Sequence, residues 1–364
     1  MKRLSTYLLL LTSISVYSCS SASVSAPEQA ASPELPAAGR HSKLLFAGDV
    51  MCHLPQVAAA ARNADGKGYD FTPTFQYVKP LFDSADVTIV NLETVISPDR
   101  YYAGYPCFSS PRELGTALQQ AGIDIVVTAN NHCCDRGARG IRSTAACLDS
   151  LGIARTGTFT DSTDYVRNRI LRFTRNDIKF ALLNYTYGTN GIPVPSGCIV
   201  NLIDTVQMAR DLQLAADADC RIVILHWGIE YQRITNNEQL RLKSFLQRAG
   251  VEIIIGSHPH VIQPAEVVNN RVFVSSLGNF VSNQRKRFCN GGLIAEVDVT
   301  EMPDGGFRYG LKLTPVWVRL PRYEILPPSA ADTIRMTAAE RSQYEQFISD
   351  TEQLLYKGKF LKSH

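Results

Sequence analysis

The chain has 364 residues, 45% of them hydrophobic and 20% charged, with a formal net charge of +3 at pH 7. This is globular composition, long enough for one large or two ordinary domains. So small a charge, with no long basic stretch interleaved with aromatics, argues against nucleic acid as a partner.

The N-terminus comes first. Lys2 and Arg3 precede an apolar run, Leu4–Val16, that is too short to span a bilayer. It ends in "VYSC", which is similar to a bacterial lipobox. Residues 1–18 therefore read as a lipoprotein signal peptide and Cys19 as the lipidated residue. Residues 19–42 are rich in Ser, Ala, Pro and Glu and read as a flexible tether. The expectation is a cell-envelope lipoprotein, held at a membrane by its lipid on the periplasmic or surface side. Cysteines elsewhere in the chain could pair in an oxidising compartment. Cys107 and Cys289, both in loop-like stretches, are the pair expected.

From Lys43 onward the apolar pattern alternates. "KLLFAGDV" predicts a strand ending at Asp49, and "VAAAARNA" a helix. "ADVTIVNLET" predicts a strand ending at Glu93. "PRELGTALQQAG" predicts a helix, with Pro111 at its start and Gly122 past its end. "IDIVVTANNH" predicts a strand ending at Asn131 and His132, followed by a helix in "GIRSTAACLDSLG". The strand "IKFALLNYTYG" and the helix "LIDTVQMARDLQLAADA" follow. "CRIVILHWGIEY" predicts a strand ending at His226, and "NEQLRLKSFLQRAG" a helix. "VEIIIGSHPH" predicts a strand ending at His258 and His260. "RVFVSSLGNFV", "GGLIAEVDV" and "FRYGLKLTPVWV" predict later strands, and residues 336–358 a C-terminal packing helix. The short basic run "NQRKRF" reads as a solvated loop. Such β-α alternation argues for a parallel or mixed sheet covered by helices. The domain is expected over 43–325, with a helical extension over 326–364.

Ligands bind outside the carboxyl ends of strands in open α/β sheets. Five strands place Asp49, Glu93, Asn131 with His132, His226, and His258 with His260 at such ends. Residues two apart in an extended segment point the same way, so His258 and His260 are expected to face one point. One Asp cap, one Asn turn or one packed His is ordinary; five together point to a shared site. Oxygen and imidazole donors without thiolate suit Mn, Zn, Fe or Mg. Carboxylates such as Asp49 and Glu93 can hold or bridge ions. Asp135 stands three residues after His132 and can orient it, so His132 reads as a general acid.

The motifs "FAGDVM", "NLET", "ANNHCCDRG", "HWGIEY", "GSHPHVIQP" and "SLGNF", in this order, resemble those of the CapA-type poly-gamma-glutamate capsule synthesis family, over about 43–297. That family is similar in fold to the calcineurin-like metallophosphoesterases. The resemblance implies a four-layer α-β-β-α sandwich of two mixed sheets flanked by helices, with one or two divalent ions at the strand ends. It implies Asp49 and His260 at the first metal, and Glu93 in the place of a bridging Asp. It implies Asn131 and His226 at the second metal, with His258 beside them, and His132 as the catalytic His. Met51 stands where the phosphoesterase pattern has a His, and His53 is the candidate to replace it. "YYAGYPCFSSP" resembles a family loop, whose Tyr105 would wall the cleft beside Tyr102 and Phe108. Arg112 and Arg136 are candidates to pair with an anionic substrate.

Taken with the lipobox-like N-terminus, the resemblance implies an envelope-anchored metal-dependent hydrolase or transferase acting on a phosphoester or an amide of an anionic polymer. The alternative is a non-catalytic polyanion-binding or export module beside capsule synthase membrane proteins. The chain has no "GxxxxGK[ST]" loop, so it is not itself read as an ATP-dependent ligase.

Overall fold

Within residues 39–356, which the computed structural model describes, the apolar runs pair into two large sheets. The expected signal peptide, Cys19 and most of the tether lie outside the described residues. The first strand begins at His41, inside the stretch read as tether.

The first half of the chain runs β1 (His41–Val50), α1 (Leu54–Asn63), α2 (Thr72–Phe75), α3 (Lys79–Phe82), β2 (Val87–Leu92), α4 (Arg112–Ala121), β3 (Ile125–Val127), α5 (Gly137–Ser150), β4 (Ala154–Thr156), β5 (Thr158–Phe159), α6 (Ser162–Asn168), β6 (Leu171–Arg175) and β7 (Ile178–Thr186). The second half runs β8 (Ile199–Val200), α7 (Thr205–Leu214), β9 (Cys220–His226), α8 (Asn237–Arg248), β10 (Ile253–Ser257), β11 (Ala265–Val268), β12 (Arg271–Val274), β13 (Asn279–Val281), β14 (Gly291–Glu301), β15 (Phe307–Arg319), β16 (Glu324–Leu326), α9 (Pro328–Ala331) and α10 (Ala338–Leu355).

One sheet has the order β16-β15-β14-β1-β2-β3-β4, with β13 also paired to β1; the other has the order β11-β12-β10-β9-β7-β6. β1 to β4 pair in parallel, and so do β7, β9, β10 and β12. The outer strands of both sheets pair antiparallel, so both sheets are mixed.

Side-chain alternation builds the layers. In β1, Leu44 and Phe46 face the layer between the sheets, where they join Ile178, Phe180 and Leu182 of β7. Leu45 and Ala47 face the other way and pack with Val57 of α1, Phe75 of α2 and Leu114 of α4. On the far side of the second sheet, Leu183 and Leu225 pack with Met208 and Leu212 of α7 and Leu242 and Leu246 of α8. The result is helix, sheet, sheet, helix, the four layers expected. Strands buried on both faces explain the near-continuous apolar runs. Each fully buried Leu, Ile, Val or Phe contributes roughly 1.5–3 kcal/mol of transfer free energy.

Two expectations change. "RVFVSSLGNFV" reads as one strand but folds as two: β12 pairs with β10, and β13 pairs with β1 in the other sheet. Ser276 makes the crossing: its Oγ donates to the Val261 carbonyl (2.8 Å) and accepts from the Gly278 N–H (3.1 Å). The expected Cys107–Cys289 bridge is absent, and every cysteine among the described residues is free. Each sits in its own braced loop: the Cys107 carbonyl accepts from Arg136, and the Cys289 N–H donates to the Lys286 carbonyl. Burial holds the Cys289 thiol pKa up at about 11.

The C-terminal helix α10 starts with a capping box at Thr337 and Glu340. It buries Tyr344 and Phe347 in the layer between the sheets, with the Tyr344 ring 6.0 Å from Trp317. No helix among the described residues is long and apolar enough to cross a membrane.

Candidate metal centre

The carboxyl ends of β1, β2, β9 and β10, with the turn after β3, converge on one buried polar cluster. Asp49 ends β1 opposite Asn91 of β2 and Asn279 of β13. The Asn91 amide donates to Asp49 Oδ1 (2.8 Å). Asn130 donates to Asn91 Oδ1 (3.2 Å) and to the Leu92 carbonyl (2.8 Å), and its Oδ1 accepts from the His132 N–H (3.1 Å). A ladder of asparagines thus fixes the ends of three strands.

His226 ends β9. Its Nδ1 lies 2.9 Å from Ser257 Oγ, and its Nε2 lies 2.9 Å from Asn131 Oδ1. Facing an amide oxygen, Nε2 can donate its N–H to Asn131; with the proton on Nδ1 and donated to Ser257 instead, Nε2 and Asn131 Oδ1 would together offer lone pairs to a cation. His260 Nδ1 lies 3.1 Å from Asp49 Oδ2, which leaves its Nε2 facing Glu93 Oε1 at 3.6 Å. His226 Nε2 is 3.5 Å from the same oxygen.

The extended-segment argument for His258 and His260 does not hold. β10 stops at Ser257, and both histidines have left-handed backbones, φ 94° and 58°. Such positions cost on the order of 1–3 kcal/mol for a non-glycine residue and cluster at functional sites. The bent backbone still brings both rings to the cluster, with centroids 6.0 Å apart. The His258 ring packs on Tyr187 (4.6 Å) and His226 (4.8 Å).

Three groups of donors have ligand atoms within 4.8 Å of one another: Glu93 with His226 and His258, Asp49 with Glu93 and His260, and Glu230 with His258 and His260. Glu93 belongs to the first two. It is fully buried, yet neither of its oxygens has a hydrogen-bond partner, and neither does His258 Nδ1. Buried carboxylates without partners are costly, so the donor set fits a divalent cation. Burial, then the charge of Asp49, pushes the Glu93 pKa well above the carboxylate range. Burial, then the neighbouring imidazoles, pushes His226 well down and His258 to about 3. Neutral imidazoles keep their lone pairs for a cation.

His132 Nδ1 lies 2.9 Å from Asp135 Oδ2, which also accepts from the Phe108 N–H (2.6 Å). The Phe108 ring meets His132 edge-on at 4.7 Å, and His53 at 5.0 Å on its other side. His53 is not in any of the three groups. It caps α1, where its N–H donates to Gln56 Oε1 (2.9 Å) and its Nδ1 accepts from the Asn283 N–H (3.3 Å). Burial lowers its pKa to about 4. Met51 is buried and its backbone is tied to Val281 and Gln56.

The other expected substrate contacts are placed elsewhere. Arg112 is exposed and donates to Ser150 at the C-terminal end of α5. Arg136 donates to the Cys107 carbonyl and lies over the Tyr101 ring, bracing the loop 101–108. Tyr105 is 76% exposed at the tip of that loop. Asn91, Ser257 and Glu230 were not singled out from sequence. Glu230 lies within "HWGIEY", so its signal was present; the others sit on strands where a polar residue has many uses.

The chain is 28% identical over 253 residues to the PGA biosynthesis protein CapA of Bacillus subtilis, covering 66% of this chain and 63% of that protein. It is 27% identical over 256 residues to the capsule biosynthesis protein CapA of Bacillus anthracis, covering 66% and 60%. The chain thus spans about three fifths of the length of the curated relatives it matches. Among solved structures, a 5'-nucleotidase from Candida albicans superposes with a TM-score of 0.47 at 12% identity, covering 85% of this chain and 58% of that one. Residues 43–284 match the bacterial capsule synthesis protein family PGA_cap, and the chain belongs to that family.

Proposed function

We propose that this chain holds one or two divalent cations, Mn, Zn, Fe or Mg, and hydrolyses a phosphoester or amide bond in an anionic polymer of capsule synthesis. The observation that carries the reading is Glu93, whose buried, unpartnered carboxylate stands between His226 and His260. Asp49 and His260 would hold one ion, Asn131, His226 and His258 the other, and Glu93 would bridge them. Such ions supply Lewis-acid polarisation of the scissile group and neutralise developing negative charge. Asp135 holds His132 by Nδ1 and leaves Nε2 free to pass a proton to the leaving group. Phe108 and Tyr187 shield the cluster from bulk water, which strengthens its electrostatics. The names of the Bacillus relatives suggest poly-gamma-glutamate as the polymer, with capsule synthase membrane proteins as partners.

The test is the metal content of the purified full chain by mass spectrometry, beside the His258→Ala/His260→Ala variant. About two ions per chain, lost in the variant, are expected. A wild-type chain that stays metal-free after loading with Mn, Zn or Fe overturns the reading.

One observation favours polymer binding without turnover: Met51 stands where a fourth ligand for the first ion would be, and His53 belongs to none of the three donor groups. Metal uptake with no hydrolysis of poly-gamma-glutamate or of phosphodiesters would select that reading. Envelope anchoring belongs to the same proposal and rests on residues 2–19. Cys19→Ala is expected to move the protein from the membrane fraction to the soluble fraction; unchanged fractionation would remove the anchor.

A further inference from the structure

We propose that Arg285 and Lys286 form a second anion subsite at the lip of the metal centre, which takes the next carboxylate along a linear polycarboxylate. The inference rests on the polymer reading above. Of the expected substrate arginines, Arg112 donates to Ser150 and Arg136 to the Cys107 carbonyl. Positive charge at the mouth comes instead from "NQRKRF", which reads from sequence as a solvated loop.

The structure builds that loop. Asn283 donates from its N–H to His53 Nδ1, and its side-chain oxygen accepts from the Tyr323 hydroxyl (2.7 Å). Gln284 is held by Asn279 (2.9 Å) and Ser282 (2.8 Å). At the other end, Arg287 makes a two-point ion pair with Asp350 of α10 (2.8 and 3.1 Å). Phe288 lies beneath the guanidinium groups of Arg233 (4.2 Å) and Arg287 (4.9 Å). Both ends are pinned, and Arg285 and Lys286 are left exposed at the tip.

Arg287 has its carboxylate; the two tip cations do not. Among the described residues, no acidic oxygen forms a salt bridge with Arg285 or Lys286; the partners of Arg285 are neutral, the Asn283 side chain (3.3 Å) and the Tyr323 hydroxyl. Lys286 Nζ sits 3.7 Å from the Tyr231 ring centroid, and that ring is 6.3 Å from the His260 ring, so the ammonium stands within about 10 Å of His260. Tyr231 is itself fixed, donating from its N–H to the Pro259 carbonyl (2.8 Å) between the two histidines. A single anion at the metal centre would not reach the lip. A polymer with one carboxylate per repeat presents a further charge there, and its apolar linker can lie on Tyr231 and Ile229, both exposed.

The test is binding of fluorescein-labelled poly-gamma-glutamate to the full, Mn-loaded chain at low salt, read by anisotropy. Arg285→Ala/Lys286→Ala is expected to weaken binding about tenfold, with melting temperature and metal content unchanged. Arg308→Ala/Lys312→Ala removes equal charge away from the centre and is expected to bind as wild type. The methyl ester of the polymer is expected not to bind. Equal binding by the lip variant and wild type, no binding by wild type, or equal binding of acid and ester overturns the proposal. Repeating the series in EDTA separates the two readings. A lip-dependent difference in a chain that takes up no metal supports the lip and sinks the metal centre. Metal uptake without lip dependence does the reverse.

Discussion

Glu93→Gln is expected to stabilise the metal-free chain and to abolish the further stabilisation that divalent cations give the wild type. Glu93 is the one acidic group here that is fully buried and has neither oxygen hydrogen-bonded. Its folded pKa is raised, by burial first and then by Asp49. A carboxyl group of this kind favours folding while protonated. That contribution is complete below its unfolded value, near 4.5. It is lost as pH rises from there through the raised folded value. The metal-free wild type should therefore lose stability across that window, and Glu93→Gln should flatten the slope. Removing an unsatisfied buried charge is worth on the order of 1–3 kcal/mol. Cation binding at 100 times Kd adds about 2.7 kcal/mol to the wild type, and the variant should lose this entirely. Because the ions displace the proton from Glu93, wild-type affinity should rise with pH across the same range. Thermal melts with and without Mn2+, at several pH values, measure all of it. A variant that keeps its Mn2+-induced shift would show that Glu93 does not ligate.

Gly256→Ala is the substitution expected to damage folding most. Gly256 lies in β10, just before Ser257, which ends the strand, and His258. A Cβ there would lie 1.9 Å from the Ser275 carbonyl oxygen and 2.5 Å from Trp227 Nε1. Those two atoms are hydrogen-bonded to each other at 2.9 Å, and the Ser275 carbonyl also accepts from Gln239 (3.4 Å). The methyl group would have to part a buried bond that spans β10, between the residues just past the ends of its two flanking strands, β9 and β12. Overpacking of this kind, with the lost hydrogen bond, costs about 3 kcal/mol or more. Gly310→Ala is the control, because its nearest neighbour would be at 3.5 Å, an ordinary contact. Urea melts should place Gly310→Ala near wild type and Gly256→Ala far below it. Equal midpoints would mean that β10 can shift, and the rigid placement of His258 and His260 would have to be abandoned. Gly48 stands in the equivalent place before Asp49, where a Cβ would meet the Gly278 carbonyl at 1.9 Å. In both sheets, a glycine lets another backbone close against the strand just before its first site residue.

The donor set also explains how so polar a cluster can be buried. Asp49, Asn91, Asn130, Asn131 and Ser257 satisfy one another or the histidines, at 2.8–3.2 Å. Of the buried atoms there without a partner, which include Asn279 Oδ1 and Asp135 Oδ1, the Glu93 oxygens and His258 Nδ1 are those a cation would complete. A half-satisfied buried network is otherwise a liability.

By itself the sequence determined the order of the long, buried strands and helices, because an apolar run bounded by Gly, Pro or a polar cap records which backbone period is buried; short elements such as α2, α3, β4 to β6, β8, β11 and β16 carry too few residues to show a period. It also pointed to polar residues at or just past the strand ends: Asp49, Glu93, His226, His258 and His260 share donor groups, while Asn131 and His132 lie in the turn after β3, which stops at Val127, with Asn131 reaching His226. Tertiary structure decided what depends on the path of the chain between elements. The crossing at Ser275–Gly278 moves β13 into the other sheet, and no local pattern marks that exchange. Arg112 went to a neighbouring helix, because a long flexible side chain bonds whatever partner packing brings near, and the His53 backbone caps α1 while its ring packs on Phe108. Glu230 joined a donor group, and Lys286 came to rest over Tyr231, only because two loops meet at the strand ends. Periodicity tells which face a residue takes; the partner across that face is set by contacts far apart in sequence.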